Sequence, residues 1–259
     1  MSKAFQLQSY ITYWLDKVDE HSLHSPFYYD LYTKVIIEKD HLPKYEPIEA
    51  LRKQLLTNDT IIHVDDFGSG AVLKTHSRKI KDIARTSLSA AKYARLYARL
   101  IQYFNGQSII ELGTSLGINT LYLAANAAGP VTTFEGSQAV AAVAKTILEA
   151  GAEKTINLIE GDIDITLPAF IQHAEKIDFA FMDANHRYEP TLKYFNCIVS
   201  RIHTKSLILI DDIHYTQDME KAWYELRHHP LVYGSIDLYR VGILLFDPSL
   251  NKQHAVLQF

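Results

Sequence analysis

Cysteine is nearly absent from the sequence, since Cys197 is the only one among 259 residues. No intrachain disulfide can form, and such a composition is typical of a reducing compartment. Long apolar runs are also missing, so neither a membrane-spanning helix nor the apolar segment of a signal peptide is predicted. A strong charge bias is absent too, because the formal net charge is only −4. These absences predict a cytoplasmic protein without a membrane partner, and they disfavour nucleic acid as the main partner.

The sequence does contain enough apolar material for a sizeable core. Hydrophobic residues make up 47% of the chain and charged residues 22%, as in ordinary globular proteins. The length favours one domain with an appendage over two full domains. We predict a helical extension over residues 1–88 and a ligand-binding domain over residues 89–259.

The N-terminal part carries mainly helical patterns. Ser25 followed by Pro26 fits the N-cap and first turn of a helix, and residues 45–56 and 74–104 are also predicted to be helical. The stretch 74–99 is rich in lysine and arginine. We interpret it as a solvent-exposed helix face; the alternative is a cationic lip that recruits an anionic substrate.

From residue 108 onward, short apolar strands alternate with helical patterns. The predicted strands are 108–112, 131–135, 155–162, 177–183 and 206–212, followed by two strands within 231–246. The last two are too close together for a helix between them. This order predicts an α/β fold with a doubly wound, mostly parallel, seven-stranded sheet and an antiparallel C-terminal hairpin.

Two segments join an apolar run to an acid and a glycine-rich turn, namely IIHVDDFGSG at 61–70 and IIELGTSLGI at 109–118. Only the second lies within the alternation. The strand that follows it ends at Glu135, which lies 24 residues after Glu111. Carboxylates at about this spacing bind ribose hydroxyls in nucleotide-binding βαβ units. The second segment is therefore the predicted ligand loop, and the first is interpreted as a tight turn between helical segments.

The glycines of the ligand loop do not form a dinucleotide fingerprint. Gly113 and Gly117 are four residues apart, and Ser115 stands where the pattern G-x-G-x-x-G would need a glycine. Thr114 and Ser115 suit a ligand that brings no phosphate close to the backbone. The loop therefore favours a nucleoside-type ligand without a pyrophosphate.

Three aspartates follow two predicted strands at the C-terminal side of the alternation. Asp183 ends one strand, and Asp211 and Asp212 end the next. Parallel strands would bring these carboxylates to one edge of the sheet, where they would repel each other unless a cation were present. We predict a Mg²⁺ site formed by them, which would orient an acceptor hydroxyl and lower its pKa. The alternative is that the paired aspartates merely cap the following turn.

Two histidines accompany these acids and are the predicted catalytic residues. His186 lies three residues after Asp183, and His214 lies three residues after Asp211. A neutral imidazole can remove a hydroxyl proton near pH 7. The alternative for His186 is an ordinary histidine on a surface loop.

Five motifs occur in a characteristic order over residues 100–259: ELGTSLGINTLYLA, Glu135, EGD at 160–162, DFAFMDANH at 178–186 and LILIDD at 207–212. In this combination the chain resembles class I S-adenosylmethionine-dependent methyltransferases. Within that class it is most similar to metal-dependent O-methyltransferases of the catechol and antibiotic-sugar types. It departs from the catechol type in having His186 in place of a lysine and Asp212 in place of an asparagine.

The resemblance implies S-adenosyl-L-methionine as the cofactor and a small hydroxylated molecule as the methyl acceptor. It implies that the loop backbone passes the methionine part of the cofactor, that Glu135 accepts from the ribose hydroxyls and that Asp162 lies near the adenine. The implied cofactor-binding residues are Glu111, Gly113, Thr114, Ser115, Gly117, Glu135, Asp162 and Asp183.

Three other functions stay open at this point. A nicotinamide-dependent oxidoreductase is disfavoured by the missing glycine at Ser115, and a non-catalytic binding protein of the same fold by the retained acids. An RNA methyltransferase that uses the basic stretch is disfavoured by the net negative charge. We further expect the N-terminal helices to shape the acceptor pocket and the chain to form a homodimer.

Overall fold

The structure is a computed structural model that describes residues 3–38, 42–66, 74–152 and 154–259. The chain groups into two compact units: Met1–Glu38 together with His173–Phe259, called unit 1 here, and Lys39–Gln172, called unit 2. The predicted boundary between residues 88 and 89 does not coincide with this division.

The regular elements are numbered in chain order. The helices are α1 (Lys3–Asp16), α2 (Pro26–Leu31), α3 (Glu46–Thr57), α4 (Ile80–Ser87), α5 (Ala91–Phe104), α6 (Ile118–Asn126), α7 (Gln138–Gly151), α8 (Ile163–His173), α9 (Tyr188–Val199) and α10 (Gln217–Arg227). The strands are β1 (Ile61–Asp66), β2 (Lys74–Lys79), β3 (Ile109–Leu112), β4 (Val131–Glu135), β5 (Ile156–Glu160), β6 (Phe179–Met182), β7 (Leu207–Ile210), β8 (Gly234–Asp237), β9 (Gly242–Leu245) and β10 (Gln253–Val256). Among the described residues, no helix is both long and apolar enough to cross a bilayer.

Unit 2 contains three parallel strands in the order β3-β4-β5. The side chains of β3 are fully buried, which explains the unbroken apolar run around Glu111 in the sequence. Helices α6 and α7 pack together and contribute to an apolar cluster that also includes residues of α3, α4 and α5. The parallel order places the ends of β3, β4 and β5 at one edge, which is the edge that carries ligands in such folds.

A β-hairpin precedes these strands and corrects two predictions. β1 pairs antiparallel with β2 from Ile61↔Lys79 to Asp66↔Lys74. Residues 74–79 are therefore a strand and not part of a helix, and VDD of the first glycine-rich segment belongs to β1 rather than to a turn between helices. Its remaining residues, Phe67–Gly70, lie outside the described residues. The basic side chains are divided between β2, α4 and α5, and two of them, Lys79 and Lys81, pair with Asp59.

Unit 1 contains five strands in the order β10-β8-β9-β7-β6. β6 and β7 are parallel, whereas β9 runs antiparallel to both β7 and β8. The C-terminal hairpin is therefore confirmed, as is the α/β fold with a mostly parallel sheet. β10 was not predicted and pairs parallel with β8, so β3 to β10 number eight strands rather than seven. The carboxyl ends of β6, β7 and β8 point the same way and gather the acidic residues of this unit.

Candidate active site

The predicted ligand loop of unit 2 depends on its two glycines. Gly113 has φ 99° and Gly117 has φ 82°, a left-handed region that favours glycine because it has no Cβ. The amides of Gly113 and Thr114 both donate to the Phe134 carbonyl at 3.0 Å, which ties the loop to β4. Gly117 then forms the N-cap of α6. The loop is thus a fixed backbone path between β3 and α6.

Glu135 ends β4 and holds the loop through its carboxylate. Its Oε2 accepts from the Ser115 amide at 2.9 Å, and its Oε1 accepts from the Ser137 amide at 3.0 Å. Burial raises the pKa of Glu135, and these backbone donors counteract part of that effect. A carboxylate has about four lone-pair sites, so each oxygen retains acceptor capacity. The side chain is half-buried and can therefore accept from two neighbouring hydroxyl groups of a ligand.

Glu111 lies beneath the loop and is fully buried. Asn119 donates to its Oε1 at 2.8 Å, and the hydroxyls of Thr120 and Thr133 donate to its Oε2. The Thr133 hydroxyl uses its proton in this way. In the 2.6 Å hydrogen bond between Thr114 and Thr133, the Thr114 hydroxyl is therefore the donor and the Thr133 oxygen the acceptor. Burial raises the pKa of Glu111 to about 7 despite these donors. Glu111 and Thr114 therefore support the loop from the interior.

Asp162 lies at the carboxyl end of β5 and caps α8. Its Oδ1 accepts from the amide of Asp164 at 2.9 Å, and its carbonyl accepts from Ile165 and Thr166. Gly161 before it has φ 125°. Asp162 therefore caps the first turn of α8, and its half-buried side chain lies at the same edge as Glu135.

Asp183 and His186 form a pair at the end of β6 in unit 1. The distance from His186 Nε2 to Asp183 Oδ1 is 3.2 Å. Burial and the nearby Asp211 raise the pKa of Asp183 to about 7. Burial would lower the pKa of His186, but its bond to Asp183 and the neighbouring carboxylates raise that pKa to about 9. At neutral pH His186 is therefore protonated, which differs from the neutral imidazole that the sequence suggested.

Asp211 and Asp212 follow β7 and share a partner that was not predicted. Arg240 Nη2 donates to Asp211 Oδ2 at 2.9 Å, and Arg240 Nε lies 3.2 and 3.3 Å from the two Asp211 oxygens. Its Nε is also 3.6 Å from Asp212 Oδ1. Asp211 is fully buried, so both of its oxygens are covered by the guanidinium. No spacing in the sequence links Arg240 to this position.

The predicted magnesium site does not fit this arrangement. Arg240 contacts both oxygens of the fully buried Asp211, and Asp183 Oδ1 lies against His186, so an ion would have to displace these cationic side chains. In the described part of the chain, no group of three or more histidine, cysteine, aspartate or glutamate residues is arranged to hold a metal ion. The positive charge at these carboxylates comes from Arg240 and His186.

His214 has both ring nitrogens engaged. Nδ1 lies 2.9 Å from Glu220 Oε1 and Nε2 lies 2.7 Å from Asp237 Oδ2. Burial would lower the pKa of His214, but its bonds to the two carboxylates raise it. Tyr239 stacks on the ring with a centroid distance of 5.5 Å. His214 thus links β8 to α10 and presents no free nitrogen as a base.

A cavity of about 850 Å³ lies beside His214 and Asp237 in unit 1. It is lined by one face of α1 and one face of α10 and includes several aromatic side chains. These are Phe5, Tyr13, Trp223 and Tyr224. Helix α1 thus forms a wall of a cavity of ligand size, and the predicted role of the N-terminal helices stays a prediction.

The order of these features along the chain matches a known family. The pattern of the family described as "Methyltransferase domain" matches residues 110–213, from β3 to the segment after β7. Residues 110–213 are therefore similar to methyltransferase domains. The matched segment includes the loop, Glu135, Asp162, Asp183 and the paired aspartates, whereas Arg240 lies beyond it. Among curated proteins, none matches the chain by sequence.

Solved structures of O-methyltransferases share the fold of this chain. An O-methyltransferase from Bacillus cereus in complex with SAH is 16% identical, with a TM-score of 0.58, 83% of this chain covered and 96% of that one. The O-methyltransferase TomG from Streptomyces achromogenes, involved in tomaymycin synthesis and in complex with SAM, is 19% identical, with a TM-score of 0.55 and coverage of 62% and 82%. The SAH-bound methyltransferase PaMTH1 from Podospora anserina is 15% identical, with a TM-score of 0.55 and coverage of 82% and 98%.

Proposed function

We propose that the chain is an S-adenosylmethionine-dependent O-methyltransferase that acts on a hydroxyl group of a small molecule. The observation that carries the cofactor assignment is the Glu135 carboxylate, fixed by the Ser115 and Ser137 amides at the end of β4. The match of residues 110–213 to a methyltransferase domain supports it, as do the cofactors named for the structural neighbours. The single cysteine supports a cytoplasmic location.

The residues of unit 2 fit the cofactor. Bound S-adenosylmethionine would supply an electrophilic methyl group on a sulfonium. Glu135 would accept hydrogen bonds from the two ribose hydroxyls, a contact that suits a carboxylate. The backbone at Gly113, Ser115 and Gly117 would pass the methionine part, since two of these positions carry no Cβ. Asp162 would border the adenine from the end of β5, and Glu111 with Thr114 would keep the loop in place.

The acceptor hydroxyl must lose its proton as its oxygen is methylated. We assign this proton to the Asp183–His186 pair rather than to His186 alone, because His186 is already protonated at neutral pH. The pKa of Asp183, raised to about 7, suits a general base that works near neutrality. His186 would hold the Asp183 carboxylate in position through its 3.2 Å contact.

A cavity beside His214, in the same unit as the Asp183–His186 pair, supports an acceptor class. Its volume of about 850 Å³ and its aromatic lining fit a planar hydroxylated molecule, which a ligand cavity of this size can enclose. An assay of S-adenosylhomocysteine release across a panel of phenols, flavonoids and glycosides tests this class. Turnover by none of them, in protein that binds the cofactor, would favour the non-catalytic alternative.

The cofactor assignment is tested by calorimetric titration of S-adenosylhomocysteine into the wild type and Glu135→Ala. We expect a micromolar Kd for the wild type, about −8 kcal/mol, and a loss of at least about tenfold in the variant because a charge-assisted bond is removed. Glu160→Ala is the matched control, since Glu160 ends the neighbouring strand in register with Glu135 and is exposed. It should bind like the wild type.

Either of two results would contradict the assignment. Folded wild-type protein that binds no S-adenosylhomocysteine would remove the methyltransferase proposal, and a parallel titration with NADH would then test the oxidoreductase. Equal affinity of Glu135→Ala and the wild type would place the cofactor elsewhere.

A further inference from the structure

Arg240 forms a fork-shaped contact with Asp211, the most deeply buried of the three aspartates that follow β6 and β7. Nη2 and Nε together reach both oxygens of Asp211 at 2.9 to 3.3 Å, and Nε also lies 3.6 Å from Asp212 Oδ1. Asp211 has no exposed surface. Planar guanidinium groups match carboxylates in this geometry, and such charge-assisted pairs are about twice as strong as neutral hydrogen bonds.

The backbone around Arg240 is fixed as well. The β8–β9 turn closes through the amide of Arg240, which donates to the Leu238 carbonyl at 2.9 Å. Tyr239 within it has φ 68°. The Arg240 carbonyl accepts from the Ile213 amide at 3.1 Å. The hairpin therefore binds the segment after β7 twice, once through its backbone and once through the guanidinium.

The contact matters because of the balance of charges around it. Three carboxylates follow β6 and β7, namely Asp183, Asp211 and Asp212, and two cationic side chains, His186 and Arg240, touch them. In the metal-dependent enzymes that the chain resembles, a divalent ion balances acids of this kind. A divalent ion here would have to displace Arg240 from a fully buried carboxylate.

We infer that Arg240 is a built-in cation that takes the place of the divalent ion. The three aspartates after β6 and β7 are then held together without a metal. Arg240 is then a positioning residue: it fixes Asp211 and Asp212, whose charges act on Asp183 and His186. The statement about metal binding stands on the Arg240 contacts alone, and only its consequence for turnover rests on the proposed function.

The test measures metal binding and stability rather than activity alone. Calorimetric titration of MnCl₂ and of MgCl₂ into wild-type protein should show no binding at millimolar concentrations, and EDTA should change neither the thermal midpoint nor kcat. Arg240→Gln should lower the thermal midpoint by roughly 10 °C, because it leaves a buried carboxylate without its partner. Arg85→Gln is the matched control, since it removes the same group from an exposed pair with Asp82 at 3.4 Å, and it should shift the midpoint little.

Several outcomes would overturn the inference. Micromolar binding of Mn²⁺ by the wild type would show that the carboxylates accept an ion, and equal midpoints for Arg240→Gln and Arg85→Gln would show that the pair stabilises nothing. If Arg240→Gln does not fold, Arg240→Lys is the second variant. It keeps the charge but loses the fork-shaped contact, and it should fold with a thermal midpoint below that of the wild type. Failure of the proposed function would be seen separately. Protein that binds neither Mn²⁺ nor S-adenosylhomocysteine would contradict the proposed function but not the inference about Arg240.

Discussion

Glu111 is an ionisable group whose surroundings favour its neutral form. Its carboxyl group has no exposed surface, and its pKa is raised to about 7 by burial, against the effect of three side-chain donors. A folded-state pKa above the unfolded value means that the folded state binds the proton more tightly. The resulting stabilisation is complete below the ordinary pKa of a glutamate and is lost as the pH rises through about 7.

We therefore expect the free energy of unfolding to fall between about pH 4.5 and pH 7.5, by on the order of 3 kcal/mol from this group. Glu111→Gln should flatten this part of the profile and stabilise the protein at pH 8. The amide can be accommodated, because Asn119 Oδ1 is buried and has no partner among the described residues, and a flip of Asn119 lets it accept from the new N–H. Urea unfolding at several pH values measures the slope.

The matched control for Glu111→Gln is Glu160→Gln, which changes an exposed glutamate at the end of β5. It should leave the pH profile of the wild type in place. Parallel profiles for wild type and Glu111→Gln would contradict the assignment of a raised pKa to Glu111.

The sequence identified candidate residues for the site but not their partners. The sequence singled out Glu135, Asp183 and His186 because each follows a strand of a parallel sheet. It could not show that His186 would be protonated, since its raised pKa depends on distances to carboxylates from another strand. Arg240 was missed for the same reason: it contacts Asp211 at a separation of 29 residues through the geometry of a hairpin.

The ligand loop is the element whose conformation depends most on single residues. A Cβ added at Gly117 would lie 3.1 Å from Leu148 Cδ2, and the residue has φ 82°. Gly117→Ala should therefore destabilise the protein by about 1–2 kcal/mol through backbone strain, with a further cost from the contact with α7. It should also weaken S-adenosylhomocysteine binding, because the loop backbone must shift. Urea unfolding and calorimetric titration of the same samples measure both effects.

Gly106→Ala provides the control for this loop prediction. Gly106 follows α5, and an added Cβ there would meet only ordinary contacts at 3.6 Å. It should leave both stability and affinity near their wild-type values. A Gly117→Ala variant that unfolds and binds like Gly106→Ala would mean that the loop does not need its left-handed glycine.

Elements with a clear apolar pattern in the sequence were predictable, and elements without one were not. The buried strands β3, β6 and β7 stand out because both of their faces are covered. Strand β2 has the sequence KTHSRK and an exposed surface at residues 76–78, so no apolar alternation marks it. It exists because β1 pairs with it along its whole length. β10 was missed likewise, since QHAV is short and only Ala255 in it is buried.

At the scale of the whole molecule, α1 presents an apolar face to solvent. Leu7, Ile11, Trp14 and Leu15 follow helical spacing and are 48 to 68% exposed. The opposite side of α1 packs on the rest of unit 1. There Tyr13 donates to the Leu257 carbonyl at 2.7 Å, and Ser9 donates to Glu220. The segment between Lys3 and Asp16 carries no charged side chain. Exposed apolar stripes of this kind are typical of interaction sites.

We propose that this face of α1 joins two copies of the chain in a symmetric dimer. Most soluble homo-oligomers are two-fold dimers in which one patch meets its own copy, and an uncharged stripe meets itself without repulsion. Wild-type protein should therefore have the mass of a dimer in size-exclusion chromatography with light scattering. Ile11→Glu should give a monomer, because two buried carboxylates would face each other across the axis.

Gln8→Glu adds the same charge to the same helix, but at a position that lines the cavity between α1 and α10. It should remain dimeric, so that loss of the dimer in Ile11→Glu is assigned to the apolar face and not to a general effect of charge on α1. A wild-type protein that is monomeric at tens of micromolar would contradict self-association through this face. If Ile11→Glu and Gln8→Glu were both dimeric, the contact between copies would lie on another surface, and the exposed apolar residues of α1 would need a different partner.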